Sequence, residues 1–183
     1  MDDDIERVLI SEQQIDVRVR ELAHQITADH AASAEVTIIP ILTGAMIFCA
    51  DLIRRIPIAM RIGLMTVSSY PGQAVRTQGS KLVGGSVGDL SGRHVLVVDD
   101  ILDSGGTLKL VLPMIQAQQP ASVKTCVLLR KDRPSARQVP ADDVGFDIPD
   151  EFVVGYGLDY DDYYRNLPRI VTLRPQAISR KDR

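Results

Sequence analysis

The chain has 183 residues, enough to bury a substantial core within one domain. It is 45% hydrophobic and 25% charged, with a formal net charge of -3. Its pI of about 5.6 weighs against general nucleic-acid binding, which needs a basic face.

The first residues, "MDDDIERVLI", are acidic where a secretory signal would be basic. No apolar run reaches the roughly 20 residues of a membrane span. A soluble cytoplasmic protein without membrane contact is expected. Ser11 with Gln14 resembles a capping box, and Ile15, Val19, Leu22 and Ile26 recur at helical spacing, which predicts a helix over 12–30. "VTIIPIL" (36–42) reads as a buried strand weakened by Pro40, and 45–55 as a helix after a turn at Thr43-Gly44. Alternation of Ile58, Met60, Ile62 and Leu64 predicts a strand over 58–67.

Residues 68–92 are rich in Gly, Ser and Gln and have little periodicity. A stretch of that kind in a compact domain is usually a functional lid or a disordered segment. The flexible part is expected at about 68–85, with room for hairpin strands within the stretch. "HVLVVDD" (94–100) is apolar enough to be buried on both faces. The next helix starts near Gly105 or Gly106 and ends before Pro120. A buried strand follows at 123–130, a loop at 131–143, and short strands at 152–157 and 169–173, before a basic tail expected to fray. The alternation predicts a single α/β domain over 1–183, with a mainly parallel twisted sheet flanked by helices. Ligands of such sheets bind at the carboxyl ends of the strands, where residues 99–107 would lie. Cys49 and Cys126 have apolar neighbours and no C-x-x-C partner, so they read as buried thiols.

"VLVVDDILDSGGTL" (95–108) carries the most chemistry. Gly105 and Gly106 let the backbone approach a ligand, Ser104 and Thr107 add hydroxyls, and the amides of a following helix carry partial positive charge. Lys109 stands two residues after Thr107, so the lysine of a Walker-type loop is missing. Neutral donors suit a single phosphate monoester. Asp99 and Asp100 must then serve something else: two neighbouring hydroxyls, or Mg²⁺ through water. A sugar phosphate presents both ends, and Asp103 lies between them.

This segment resembles the ribose-phosphate signature of type I phosphoribosyltransferases, which bind 5-phosphoribosyl-1-pyrophosphate (PRPP). "ILTGAMIFCADL", "SSY", "LLRK", "VGFDIPDEFVVGYGLDY" and "YYRNLP" are similar, in the same order, to the hypoxanthine-guanine branch of that family, over about residues 36–173. The resemblance implies purine salvage: a 6-oxopurine nitrogen attacks the anomeric carbon of PRPP, Mg²⁺ assists, and pyrophosphate leaves. It further implies a small hood formed by the N-terminal segment and about 140–183, and a homodimer or homotetramer.

The roles it implies are these. Asp99 and Asp100 hold the ribose hydroxyls and join Asp159 around the metal. Asp103 takes the purine N7 proton as general base, and with Ser104, Gly105, Gly106 and Thr107 surrounds the 5-phosphate. Lys131 donates to the purine O6, Phe152 stacks on the base, the Val153 carbonyl reads the exocyclic position, and Asp159 lies beside the purine. Thr43, Gly44 and Arg165 contact pyrophosphate. Ser69 and Tyr70 sit on a closing loop. A free aspartate is a weak base for this task, so burial or a neighbouring carboxylate is expected around Asp103. One departure stands out: the family often has Leu-Lys-Gly where this chain has Leu42-Thr43-Gly44, which removes a side-chain charge. A non-proline cis peptide is expected there.

Plainer readings exist for each residue alone. Paired acids are common on solvated edges, a lone lysine is usually at the surface, and Phe152 suits a core. Asp159 falls in the charge run "LDYDDYYR", and Arg165 could pair with Asp161 or Asp162 at helical spacing. Ser69 and Tyr70 could be ordinary loop residues, and His24, His30 and His94 lack ligand spacing. Two rival functions share parts of this pattern. A PRPP-sensing RNA-binding regulator of the same fold predicts a basic face and a dispensable Asp103. A phosphoacceptor receiver domain needs its acid pair after the first strand, and this pair lies past the midpoint.

Overall fold

The computed structural model describes residues 1–31, 33–69 and 80–179. After a 3₁₀ turn at Asp2–Asp4 come β1 (Ile5–Ile10), α1 (Glu12–Asp29), β2 (Val36–Leu42), α2 (Met46–Ile53), β3 (Met60–Ile62), β4 (Leu64–Ser69) and β5 (Ser80–Ser86). The chain continues through β6 (His94–Leu102), α3 (Gly106–Gln116), β7 (Ser122–Lys131), α4 (Pro134–Arg137), β8 (Asp143–Ile148), β9 (Ile170–Leu173) and α5 (Pro175–Ser179). The capping box opening α1 is formed: Ser11 Oγ accepts from Gln14 N, and Gln14 Oε1 accepts from Ser11 N at 2.9 Å. Two amides that a helix start would otherwise leave open are thereby satisfied.

The main sheet has the order β5-β4-β2-β6-β7-β8, with β3 also paired to β2. All its pairings are parallel except β4 with β5. The central strands alternate between two cores, as doubly covered strands must. Ile38, Leu96, Val98 and Leu128 join Leu22 and Phe48 on one face. Ile39, Val95, Val97 and Val127 join Leu108, Val111 and Ile115 on the other. Each such side chain contributes about 1.5–3 kcal/mol by leaving water. These two layers hold the carboxyl end of β6 in place.

Pro40 does not weaken β2. β3 pairs with Val36, Thr37 and Ile38, and β4 with Ile41 and Leu42, so the residue that cannot donate falls between two pairings on that side. The strand expected over 58–67 is accordingly two strands, broken at Gly63. The Gly63 amide donates to Ile38 O at 2.9 Å, and a Cβ there would stand 2.9 Å from Val87 Cα.

Four further expectations need correction. The loop expected over 131–143 contains α4, and β8 follows it unanticipated. Residues 152–157 make only isolated bridges, Val154 with Val171 and Gly155 with Leu158. The reason is conformational: Gly155, Tyr156 and Gly157 have φ of 101°, 51° and 104°, which no strand tolerates. β1, unforeseen within the acidic start, pairs antiparallel with β9 as a separate two-stranded sheet. Val154, Leu167, Val171, Leu173 and Ala177 form a third apolar cluster with it. The tail is helical through Ser179 as α5. β5 lies within the Gly/Ser-rich stretch and pairs antiparallel with β4, whose last residues, Ser68 and Ser69, enter it; residues 70–79 lie outside the described residues. Among the described residues no helix is long and apolar enough to cross a membrane.

Candidate active site

The carboxyl end of β6 brings two acids into a nearly closed space. Asp99 is 4% exposed, and its Oδ1 accepts from Asp100 N at 3.1 Å. Asp100 Oδ1 accepts from Ile101 N at 2.8 Å. Burial pushes the Asp99 carboxyl well above the usual carboxylate range, and the neighbouring charge of Asp100 adds to this. Burial raises Asp100 as well, while backbone donors and the charge of Arg165 oppose the rise. Two carboxylates crowded away from water are poised to accept hydroxyl protons or a cation.

Asp100 lies against the turn after β2. A Cβ on Gly44 would stand 1.8 Å from Asp100 Oδ2, and a Cβ on Gly157 would stand 2.1 Å from Gly44 O. Three chain segments are thus layered at van der Waals distance, and only glycine fits twice. The Leu42–Thr43 peptide bond is cis, as expected, and the Thr43 side chain is exposed.

Below the acids the chain turns through Asp103, Ser104 and Gly105. Gly105 has φ 80° and is the N-cap of α3, so no side chain occupies the first amides of that helix. A Cβ there would stand 2.2 Å from Val139 Cγ2. Gly106 and Thr107 form the first turn of α3. A glycine-started helix beside an open loop is an anion site in form, with amides aimed outward and the helix dipole behind them.

Asp103 does not have the surroundings expected of it. Its side chain is 41% exposed, and its partners are cations. Lys131 Nζ donates to Oδ2 at 3.0 Å, and Arg133 Nη1 donates to Oδ1. β7 ends at Lys131 and delivers both cations from across the sheet, so burial and like charge give way to ion pairing. Lys131 is 8% exposed, far from an ordinary surface lysine. Arg133 also grips Asp150, Nη2 to Oδ1 at 2.7 Å and Nε to Oδ2 at 3.1 Å. Arg133 and Asp150 complete this cluster and were not singled out from sequence. The available signal was spacing: Arg133 is extended, φ -142° and ψ 150°, and follows Lys131 by two residues, so both side chains reach the same side.

Asp159 and Arg165 meet. Arg165 Nη1 lies 2.9 Å from Asp159 Oδ1 and donates to Gly157 O at 2.8 Å; Nη2 donates to Asp162 Oδ1 at 2.9 Å. Asp159 Oδ2 accepts from Asp162 N at 2.9 Å. The plainer pairing of Arg165 with Asp162 is therefore real, and it coexists with a place beside Gly157 and Gly44. Phe152 is 48% exposed and edge-on to Tyr160, ring centroids 5.7 Å apart; a core role is excluded. Val153 is buried. Ser69 is the last residue of β4, and Tyr70 lies outside the described residues. Two groups result: Asp99, Asp100, Gly44, Gly157, Asp159 and Arg165 on one side, and Asp103, Lys131, Arg133 and Asp150 on the other.

Comparison with known proteins finds similarity over most of the chain. The family model for the phosphoribosyl transferase domain matches residues 9–161. The hypoxanthine phosphoribosyltransferase of Buchnera aphidicola subsp. Schizaphis graminum is 44% identical over 167 residues, 90% of this chain and 93% of that protein. The hypoxanthine-guanine phosphoribosyltransferase of Bacillus subtilis is 41% identical over 177 residues, covering 96% of this chain and 97% of its own. The solved structure of the Trypanosoma cruzi hypoxanthine phosphoribosyltransferase in complex with the product IMP is 38% identical, with a TM-score of 0.82 over 94% of this chain and 96% of that one.

Proposed function

The chain belongs to the phosphoribosyl transferase family, and from that premise we infer that it is a purine-salvage enzyme. It transfers the 5-phosphoribosyl group of PRPP to hypoxanthine or guanine, giving IMP or GMP and pyrophosphate. One observation carries this reading beyond membership: two adjacent carboxylates at the end of β6, Asp99 buried and Asp100 half-buried, stand directly before a glycine-capped helix start. A sugar phosphate is recognised from both ends by such a pair, its alcohols by acids and its phosphate by uncharged amides.

In this reading Asp99 and Asp100 accept hydrogen bonds from the ribose hydroxyls. Ser104, Gly105, Gly106 and Thr107 surround the 5-phosphate. Asp103 removes the N7 proton as the purine attacks, a contribution of about 10²- to 10⁴-fold in rate. Lys131 donates to O6, and its near-complete burial removes competing water from that bond. Phe152 offers its half-exposed face to the base. The Val153 carbonyl, which can only accept, suits the guanine amino group, and Asp159 lies beside it. Arg165, held by Asp159 and Asp162, and the backbone at Thr43 and Gly44 receive pyrophosphate. Thr43 supplies no charge, so that affinity rests on Arg165 and on backbone donors.

The donor set fits Mg²⁺. The ion favours one or two carboxylates together with phosphate oxygens and retained water. Among the described residues no cluster of three or more acidic, His or Cys side chains forms a self-sufficient metal site. Asp99, Asp100 and Asp159 would hold it together with the diphosphate, and it would supply charge neutralisation to the leaving group. β1, β9 and the segment around Phe152 form the hood, and the protein works in the cytoplasm as a homodimer or homotetramer.

The RNA-binding rival gains no support. Arg18, Arg20, Arg55, Arg93, Arg130 and Arg137 are each tied to a carboxylate, so no free basic face gathers among them. A spectrophotometric assay of hypoxanthine, guanine and xanthine with PRPP and Mg²⁺ tests the reading. Nucleotide is expected from the first two; none from any purine would overturn it.

A further inference from the structure

We propose that Arg133 and Asp150 are positioning residues for the proton-transfer step, fixing Asp103 by one oxygen so that the other is presented to the purine. This rests on the reading of Asp103 as general base and Lys131 as the O6 donor.

The four side chains form a closed ring of alternating charge. Asp103 Oδ1 accepts from Arg133, and Asp103 Oδ2 accepts from Lys131 at 3.0 Å. Asp150 Oδ1 lies 3.6 Å from Lys131 Nζ, and Asp150 Oδ2 lies 2.5 Å from Arg133 Nη2. Both oxygens of Asp103 are engaged, and each keeps a second acceptor position. Lys131 Nζ carries three N–H bonds, so it donates to a 6-oxo group while it still holds Asp103 Oδ2. The second acceptor position of that oxygen then lies next to the atom Lys131 contacts. Arg133 stays on Oδ1, because its planar fork is anchored at its other end by both oxygens of Asp150. The carboxylate is therefore held by one oxygen and presented by the other.

Stability does not explain the ring. Asp103, Asp150 and Arg133 are 41%, 42% and 33% exposed, and ion pairs in that setting contribute little to folding. Orientation of a reacting group is worth far more than such a pair.

The test is steady-state and pre-steady-state kinetics of Arg133→Met, Arg133→Lys, Asp150→Asn, Asp103→Asn and the Asp103→Asn/Arg133→Met double variant, with thermal unfolding of each. Arg133→Met is expected to lower kcat about tenfold with the KM for PRPP within about twofold of wild type. Arg133→Lys, which keeps the charge and loses the fork, is expected to fall between the two. In the Asp103→Asn background the Arg133 change should cost less than about twofold more, because its effect acts through Asp103. Asp150→Asn, close in volume to the native side chain, reads the same coupling if Arg133→Met does not fold. A large loss in Asp103→Asn with kcat of Arg133→Met within about twofold of wild type overturns the proposal, as do additive losses in the double variant or a rise in kcat. If Asp103→Asn itself stays within about threefold of wild type, the base assignment falls and the proposal falls with it.

Discussion

Gly44, in the turn after β2, and Asp100, in β6, touch so closely that one added methyl carbon on Gly44 would stand 1.8 Å from Asp100 Oδ2. Gly44 carries no unusual φ, so Gly44→Ala introduces a clash without backbone strain. The backbone of Gly157 closes the other side, at 2.1 Å from its own hypothetical Cβ to Gly44 O, so the turn cannot retreat. The carboxylate of Asp100 must move instead. A displacement of about 1 Å at a reacting site can cost about 100-fold, and kcat/KM for PRPP is expected to fall by at least that factor in Gly44→Ala. Steady-state kinetics checks it, with thermal unfolding as the control for gross misfolding.

Lys131→Met keeps the length of an 8% exposed side chain and removes its charge. Arg133 continues to hold both Asp103 and Asp150, so the acids are not stranded. The loss therefore concentrates on the purine. A site built around a hydrogen bond to its substrate discriminates strongly when that bond is lost, and kcat/KM for hypoxanthine is expected to drop about 100-fold or more. The KM for PRPP should stay within about threefold of wild type, because the pyrophosphate and phosphate groups lie elsewhere. Comparison with a purine that lacks the 6-oxo group should show the discrimination collapse in the variant.

What could be read from sequence followed the range of the forces involved. Asp99, Asp100, Asp103 and the glycines of 105–106 are contiguous, and a buried strand running into acids and a glycine turn states its own chemistry. The helix of 12–29 was equally plain, because its cap and apolar period are local. The neighbours of Asp103 were not legible: Lys131, Arg133 and Asp150 arrive from the ends of other strands, and an expected carboxylate environment became a cationic one. Residues 152–157 misled for another reason. Their apolar pattern suits a strand, but positive φ at Gly155, Tyr156 and Gly157 bends the chain back to meet Gly44 and to place Asp159 and Arg165. Backbone handedness at Tyr156 has no sequence signature.

Gly105 presents two obstacles to substitution, and they can be separated. Its φ of 80° disfavours any side chain, and a Cβ would stand 2.2 Å from Val139 Cγ2. Gly105→Ala is expected to destabilise the protein by about 1–3 kcal/mol through backbone strain alone, with the clash added. Val139→Ala removes the clashing methyl groups, so Gly105→Ala/Val139→Ala should recover part of the lost PRPP affinity and leave the strain in place. Urea unfolding and PRPP titration of both variants check the partition. Full recovery of stability in the double variant would show that the clash alone mattered.

Asp143, at the amino end of β8, gives the protein a pH dependence unrelated to its chemistry. The residue is 9% exposed, and its Oδ2 has no hydrogen-bond partner. Burial pushes its carboxyl up, the charges of Asp29 and Asp142 add to the rise, and Lys124 and His30 oppose it. The native state therefore keeps a proton at pH values where the unfolded chain, with an ordinary value of 3.8, has lost it. Where the native state binds more protons, stability falls as pH rises, beginning near the unfolded value and ending once the folded group is ionised. Asp143→Asn is neutral at every pH and lacks this loss. Urea unfolding of both proteins at a series of pH values from about 4 to 8 should show wild type losing stability relative to Asp143→Asn as pH increases, with the gap closing at the acid end. A gap independent of pH would mean that Asp143 titrates in the native state as it does in the unfolded chain, with Lys124 and His30 offsetting the cost of its burial.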